Sequence, residues 1–225
     1  SNNRPLTTGN QNDSYPRWSH KGDRIIFKSN KEDDKMKLYM MWMDTRETVP
    51  LTNTIEMPQS ISWSHDDRHL AFNMFVPSPR ESLVQMPEMP EGAEWNVPPT
   101  YIDRLNYRGD GAGYLRQGNQ QLFVLSARGG TPRQLTFSEF DHGTPTWSLK
   151  GDLLYFSANF HKDEDLEPLD SEIHQIRVSD GEIKALTSRY GPDQNPQLSP
   201  DGSKIAYTGF DDRHQGYQLT QLYIM

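Results

Sequence analysis

Residues 144–156 read Thr144-Pro145-Thr146-Trp147-Ser148-Leu149-Lys150-Gly151-Asp152-Leu153-Leu154-Tyr155-Phe156. A short stretch ending on a tryptophan leads into Lys150-Gly151-Asp152, then into an apolar run that closes on an aromatic. Glycine in that turn supplies the positive φ that a tight hairpin needs, so the stretch predicts two antiparallel strands. Working outward, the same arrangement recurs as Tyr15-Pro16-Arg17-Trp18-Ser19, Ser60-Ile61-Ser62-Trp63-Ser64 and Asn195-Pro196-Gln197-Leu198-Ser199. Nine residues after each Trp or Leu stands an aromatic: Phe27, Phe72, Phe156 and Tyr207. Twelve residues before each lies a Leu-Thr pair: Leu6-Thr7, Leu51-Thr52, Leu135-Thr136 and Leu186-Thr187. Thirteen residues before the last three pairs comes another apolar start, at Leu38, Leu122 and Ile173, and Leu222 is a further one.

Three spacings held over four copies define a repeat. Each copy predicts four short strands: A with the Trp, B with the aromatic, C with the apolar start, D with Leu-Thr. The A–B turn holds Lys21-Gly22-Asp23, Lys150-Gly151-Asp152 and Asp201-Gly202-Ser203; the second copy has His65-Asp66-Asp67, and Asp tolerates the left-handed conformation. Four antiparallel strands in a repeat of about 45 residues are the blade of a β-propeller. The expected fold is therefore all-β, a propeller of four-stranded antiparallel blades with about four visible. The expected division is 1–14 as strand D of a preceding blade, then blades over 15–52, 60–136 with an insertion at 73–119, 144–187, and 195–225 without its last strand. Trp18 and Trp147 are expected in the inter-blade core. Ser19, Ser64, Ser148 and Ser199 recur at one slot, which predicts hydrogen bonding within the blade and not four nucleophiles.

Length varies only between strands B and C: 11 residues from Phe27 to Leu38, 50 from Phe72 to Leu122, 17 from Phe156 to Ile173 and 15 from Tyr207 to Leu222. In an up-and-down blade the B–C and D–A loops share a face, so the variation is confined to one side. A fixed scaffold with variable loops on one side is how binding surfaces are built.

Composition removes several classes of function. Net charge is −8 with acidic residues spread along the chain, which argues against a nucleic-acid partner. With no cysteine there is no disulfide, thiolate metal site or cysteine nucleophile. No stretch approaches 18 apolar residues, so no membrane-spanning helix is expected. No Gly-x-Ser-x-Gly nucleophile elbow occurs. The acidic run Asp163-Glu164-Asp165, with Glu167, Asp170 and Glu172, lacks the central Gly and ligand order of a calcium loop, and reads as a solvated B–C loop. The seven His show no metal spacing, so neither a metal nor another cofactor is expected.

The blade pattern, with Leu-Thr, Pro-x-Trp-Ser and Ser199-Pro200-Asp201-Gly202, resembles the repeat of TolB-type proteins and of the prolyl oligopeptidase clan. Ile102-Asp103-Arg104-Leu105-Asn106-Tyr107-Arg108, Asp110-Gly111-Ala112-Gly113-Tyr114 and Gly129-Gly130-Thr131-Pro132-Arg133-Gln134-Leu135-Thr136 resemble its acylaminoacyl-peptidase and dipeptidyl-aminopeptidase branch. That resemblance implies a propeller, commonly of seven or eight blades, that precedes an α/β-hydrolase domain with a Ser-Asp-His triad. It implies a fragment truncated at both ends. The chain alone is then non-catalytic, and its full-length parent a serine exopeptidase. The implied partners are that hydrolase domain and a peptide substrate; the alternative is a stand-alone TolB-like protein-binding propeller. A bacterial periplasmic or secreted location is the expectation, with the cytoplasm as alternative.

Within the insertion, Arg104, Tyr107, Arg108, Asp110 and Tyr114 are the candidate substrate-binding residues. Two guanidiniums and a phenol beside a Gly-rich segment suit a carboxylate. The competing reading is an Arg that pairs with Asp103 or Asp110 to hold the loop. Trp95, Tyr101, Tyr107 and Tyr114 are expected to pack on the propeller face or on the hydrolase domain that the resemblance implies, since a solvated linker would expose their apolar area.

Overall fold

The computed structural model describes residues 3–32, 35–78, 87–93, 96 and 101–225. Four antiparallel sheets follow one another along the chain. Sheet 1 holds β1 (Asp13–Trp18), β2 (Arg24–Ser29), β3 (Lys37–Trp42) and β4 (Thr48–Thr52) in that order. Sheet 2 opens with β5 (Gln59–Trp63) and β6 (His69–Pro77). The chain then leaves it for a small hairpin, β7 (Arg108–Gly109) with β8 (Gly113–Tyr114), and returns as β9 (Gly118–Ser126) and β10 (Arg133–Gln134). Sheet 3 holds β11 (Thr146–Trp147), β12 (Leu153–Ala158), β13 (Glu172–Arg177) and β14 (Ile183–Ala185). Sheet 4 holds β15 (Asp193–Leu198), β16 (Ile205–Gly209) and β17 (Gln221–Ile224). There is no helix among the described residues.

The tight A–B hairpins form as the turn chemistry dictates. Gly22, Gly151 and Gly202 sit at φ 69°, 72° and 71°, and Asp67 takes the same slot at φ 58°. The recurrent serines close these hairpins. In sheet 3 the Ser148 hydroxyl donates to Asp152 at 2.7 Å and accepts from the Leu153 amide at 3.1 Å. Ser19, Ser64 and Ser199 do the same toward Asp23, Asp66 and Asp201.

The first strand of three sheets is bulged, which the sequence alone did not indicate. Tyr15, Ser60 and Asn195, each three residues before the Trp or Leu slot, have φ of 57°, 49° and 55°. The strand register slips across each of them. A bulge leaves one residue unpaired, which accommodates Pro16 and Pro196 in a strand although they have no N–H to donate.

Alternation along each strand sends neighbouring side chains to opposite faces, so every sheet feeds two cores. Ile26, Leu38 and Met40 of sheet 1 pack with Trp63, Leu70 and Phe72 of sheet 2. Ala71, Leu122 and Val124, on the other face of sheet 2, pack with Trp147, Leu154 and Phe156 of sheet 3. β15 in turn lies against β12 and β13. The indoles lock successive sheets. Trp63 Nε1 donates to the Arg17 carbonyl at 3.3 Å, and Trp147 Nε1 donates to the Ser62 carbonyl at 3.2 Å. The acceptor in each case is the residue just before the Trp slot of the preceding sheet.

Two expectations are corrected. Trp18 is 53% exposed, against 2% for Trp147, because no sheet stands before sheet 1 among the described residues. The excursion from sheet 2 is shorter than residues 73–119: β6 and β9 stay paired out to Pro77↔Gly118. Leu6-Thr7, expected as strand D of a preceding blade, lies in irregular chain and joins none of the described sheets.

Trp147→Ala removes a buried indole and its inter-sheet hydrogen bond, and should cost about 3–5 kcal/mol. Trp18→Ala should cost less than about 1 kcal/mol, the range of surface substitutions. Urea unfolding of both variants in dilute solution checks the contrast; equal losses would show that the first and third sheets are equally covered.

Candidate functional site

The excursion between β6 and β9 carries all five candidate residues. Its described part is held from both ends. Arg116 pairs with Glu56 at 2.7 Å and lies over the Phe75 ring at 4.7 Å. Gln117 donates to Asp103 at 3.0 Å. In the hairpin, Arg108 faces Tyr114 and Gly109 faces Gly113 across β7 and β8. The Tyr107 and Tyr114 rings stack at 6.4 Å, and the Leu115 amide closes onto the Tyr107 carbonyl at 2.9 Å. Asp110 is exposed at the tip, where Gly111 and Gly113 supply φ of 76° and 75°. Tyr101, Tyr107 and Tyr114 are exposed and do not pack on the propeller face; the Tyr107 and Tyr114 rings contact each other. Trp95 lies outside the described residues.

Arg104 stands apart from the hairpin. With Glu139, Phe140, Lys162, Glu164 and Asp165 it lines a cleft of about 370 Å³ between the excursion and the β12–β13 loop of sheet 3. The two walls are tied where the Leu105 amide donates to Asp165 at 3.2 Å. Among the described residues neither Arg104 nor Arg108 forms an ion pair with Asp103 or Asp110. Arg104 instead acts on Glu164: burial raises that carboxyl, and the guanidinium pulls it back down. The lining of the cleft thus combines two cations, Arg104 and Lys162, with three carboxylates and the Phe140 ring.

Sequence reasoning missed the far wall of this cleft. The acidic run was read as a solvated loop, but there Glu164 is half-buried, Asp165 binds Leu105, and Asp170 meets His161 at 3.2 Å. The signal available was Phe160 and His161 opening that run. Phe140, His142, Phe156, Phe160 and His174 form one ring cluster, with His174 edge-on to Phe160 at 4.6 Å. Among the described residues no group of three or more His, Cys, Asp or Glu is placed to hold a metal ion.

Two buried groups, His142 and Glu172, are shifted in opposite senses. Burial pushes the His142 imidazole down to about 4, although its Nδ1 lies 3.0 Å from the Gln120 carbonyl. Burial, helped by Asp193 and Asp170, pushes Glu172 up to about 6, against the hydroxyl of Thr187 that it accepts.

The chain is similar to known proteins of two kinds. It is 30% identical over 164 residues to the uncharacterized peptidase YuxL of Bacillus subtilis, covering 72% of this chain and 24% of that protein. An acylaminoacyl peptidase from Pyrococcus horikoshii superposes with a TM-score of 0.66 at 17% identity, over 95% of this chain and 30% of that one. TolB from Acinetobacter baumannii superposes with a TM-score of 0.59 at 14% identity, over 97% of this chain and 42% of that one. No family model matches the chain. These likenesses establish the propeller fold, and the similarity to both peptidase and TolB propellers matches the resemblance carried by the repeat. The chain spans about a quarter of the length of the curated relatives it matches.

The two titrations predict a definite pH response. His142 is neutral when folded, so its contribution is complete above pH 6.5 and is lost as pH falls from 6.5 toward 4, by up to about 3 kcal/mol. Glu172 binds its proton more tightly when folded, so it adds stability as pH falls from about 6 to 4.5. Melting temperatures across pH 7 to 4 should fall less steeply in His142→Gln and more steeply in Glu172→Gln than in the wild type. Parallel curves for all three proteins would contradict this assignment.

Proposed function

We infer that this chain is the non-catalytic propeller region of a serine exopeptidase of the acylaminoacyl-peptidase or dipeptidyl-aminopeptidase kind. It gates and positions peptides for an α/β-hydrolase domain of the same polypeptide. The observation that carries this reading is the cleft. It opens between the two longest B–C connections, on the face where loop length varies, and it is lined by charges of both signs. A peptide carries an ammonium at one end and a carboxylate at the other. Arg104 and Lys162 suit the carboxylate; Glu139, Glu164 and Asp165 suit the ammonium. The exposed hairpin of Tyr107, Arg108, Asp110 and Tyr114 is assigned to contacts with the peptide or with the hydrolase domain. The 30% identity to a peptidase supports the same reading.

A second reading is a stand-alone propeller that docks whole proteins, in the manner of TolB. The superposition on TolB over 97% of the chain favours it equally at the level of fold. The two readings separate on ligand size.

Calorimetric titration of the chain with a short peptide, once with a free C-terminal carboxylate and once amidated, tests the first. The free acid should bind more tightly, and Arg104→Ala should weaken it about tenfold, the loss of one charge-assisted hydrogen bond, while leaving the amide unchanged. The chain alone should not label with a fluorophosphonate probe, since it holds no nucleophile elbow. Equal binding of both peptides, indifferent to Arg104, would remove the cleft from the mechanism.

A further inference from the structure

Among the described residues that line the cleft, Phe140 is the one apolar side chain. It comes from the segment between β10 and β11, a third element beside the excursion and the β12–β13 loop. A buried amide holds that segment. Gln121 of β9, 2% exposed, donates from Nε2 to the carbonyls of Ser138 and Phe140 at 2.8 and 3.3 Å, and its Oε1 accepts the Ser138 amide at 3.3 Å. Asp141, the next residue, accepts the Gln120 amide at 2.7 Å. A buried side chain whose polar atoms are satisfied by one loop fixes that loop on its sheet. The Phe140 ring is thus held in place by sheet 2 before any ligand arrives.

That ring is also the end of an array. Phe140 meets Phe160 edge-on at 5.6 Å, and Phe160 meets Phe156, His142 and His174 edge-on at 6.4, 5.5 and 4.6 Å. Phe156, His142 and His174 are buried, whereas Phe160 and Phe140 are half-buried. Burial keeps both imidazoles neutral: it pushes His142 down to about 4 and lowers His174. The array joined to Phe140 is therefore uncharged at neutral pH, and it repeats one geometry, ring edge on ring face. Aromatic pairs of this kind are stabilised beyond the area they bury. A ring that entered the cleft and met Phe140 would add one more such pair.

We propose that the cleft selects peptides whose C-terminal residue is aromatic, with Phe140 as the residue that determines this specificity. The proposal rests on the reading of the cleft as a peptide site. Arg104 and Lys162 take the terminal carboxylate, and the side chain of that same residue lies against Phe140. A cleft of about 370 Å³ is at the small end of ligand sites, which suits one terminal residue and not a long segment. A basic side chain would bring a third cation beside Arg104 and Lys162. A neutral ring adds no charge to a lining that already mixes both signs.

Calorimetric titration of the 225-residue chain with the peptides Ala-Ala-Phe, Ala-Ala-Ala and Ala-Ala-Lys, each as free acid and as amide, tests the proposal. Ala-Ala-Phe should bind about tenfold more tightly than Ala-Ala-Ala, the gain from burying one ring against another. Ala-Ala-Lys should bind no more tightly than Ala-Ala-Ala. Phe140→Leu, which keeps an apolar side chain but no ring, should bring the Phe-over-Ala ratio down to about twofold, while the acid-over-amide ratio persists. Arg104→Ala should do the reverse. Equal binding of Ala-Ala-Phe and Ala-Ala-Ala by the wild type, a preference for Ala-Ala-Lys, or a Phe preference that survives Phe140→Leu overturns the proposal. If the acid-over-amide ratio persists in those cases, the cleft remains a carboxylate site and only the aromatic selection falls. Binding of none of the peptides overturns both.

Discussion

The hydrogen bond from an indole N–H of one sheet to a first-strand carbonyl of the sheet before it is the constraint on which the architecture rests. Twice it joins successive sheets across an apolar core, at Trp63 and Trp147. Apolar packing is non-directional and tolerates sliding. A donor that must meet one acceptor does not, since a buried indole N–H without a partner costs a full desolvation penalty. The bond therefore fixes the stagger between sheets. With stagger fixed, Leu70 and Phe72 meet Ile26 and Met40 on one side while Ala71 meets Trp147 on the other.

The bulge and the serine clamp keep that constraint local. The bulges at Tyr15, Ser60 and Asn195 bend the first strand just before the Trp or Leu slot. The Ser–Asp clamp just after it sets where the second strand begins. The clamp lies on the A–B side and the bulge within the first strand, so neither device constrains the length of the B–C loops. That is why the 50-residue B–C interval of the second copy is accommodated without a break in the β6–β9 ladder. Asp67 shows the economy of the arrangement. It holds the left-handed turn in place of glycine, and its buried carboxylate accepts the His20 and Lys21 amides of the neighbouring sheet at 2.7 and 3.0 Å.

Most of the scaffold was legible because it repeats. Spacing between Trp, aromatic and Leu-Thr is a property of the sequence, and each spacing maps onto one strand or one turn. What was not legible depends on position within the array. Nothing local distinguishes Trp18 from Trp147, or Leu222 from Leu122; only the presence of a neighbouring sheet does. The bulges escaped notice because Tyr, Ser and Asn at φ > 0 carry no common signal, unlike glycine. The cleft was half-read. Arg104 stood out by residue type beside a Gly-rich stretch, but its wall comes from residues 60 positions further on, and a run of carboxylates reads as solvated until Leu105 is found bonded to Asp165.

The placement of charge follows from the same division of labour. Carboxylates near the clamps, such as Asp23, Asp66 and Asp201, are held low by serine hydroxyls. They stay ionised and act as rigid acceptors. Carboxylates on the variable side, Glu164 and Glu172, are pushed up because burial there is not matched by enough donors. A scaffold needing only its own stability has no use for such groups, and hydrophobic substitutes would fold as well. Glu164 shares its cleft with Arg104 and Lys162, so incompletely matched charge stands on the face with free loop length, the arrangement on which the proposed peptide contact rests. The side of the molecule that the repeat leaves unconstrained is thus also the side that its electrostatics leave unsatisfied.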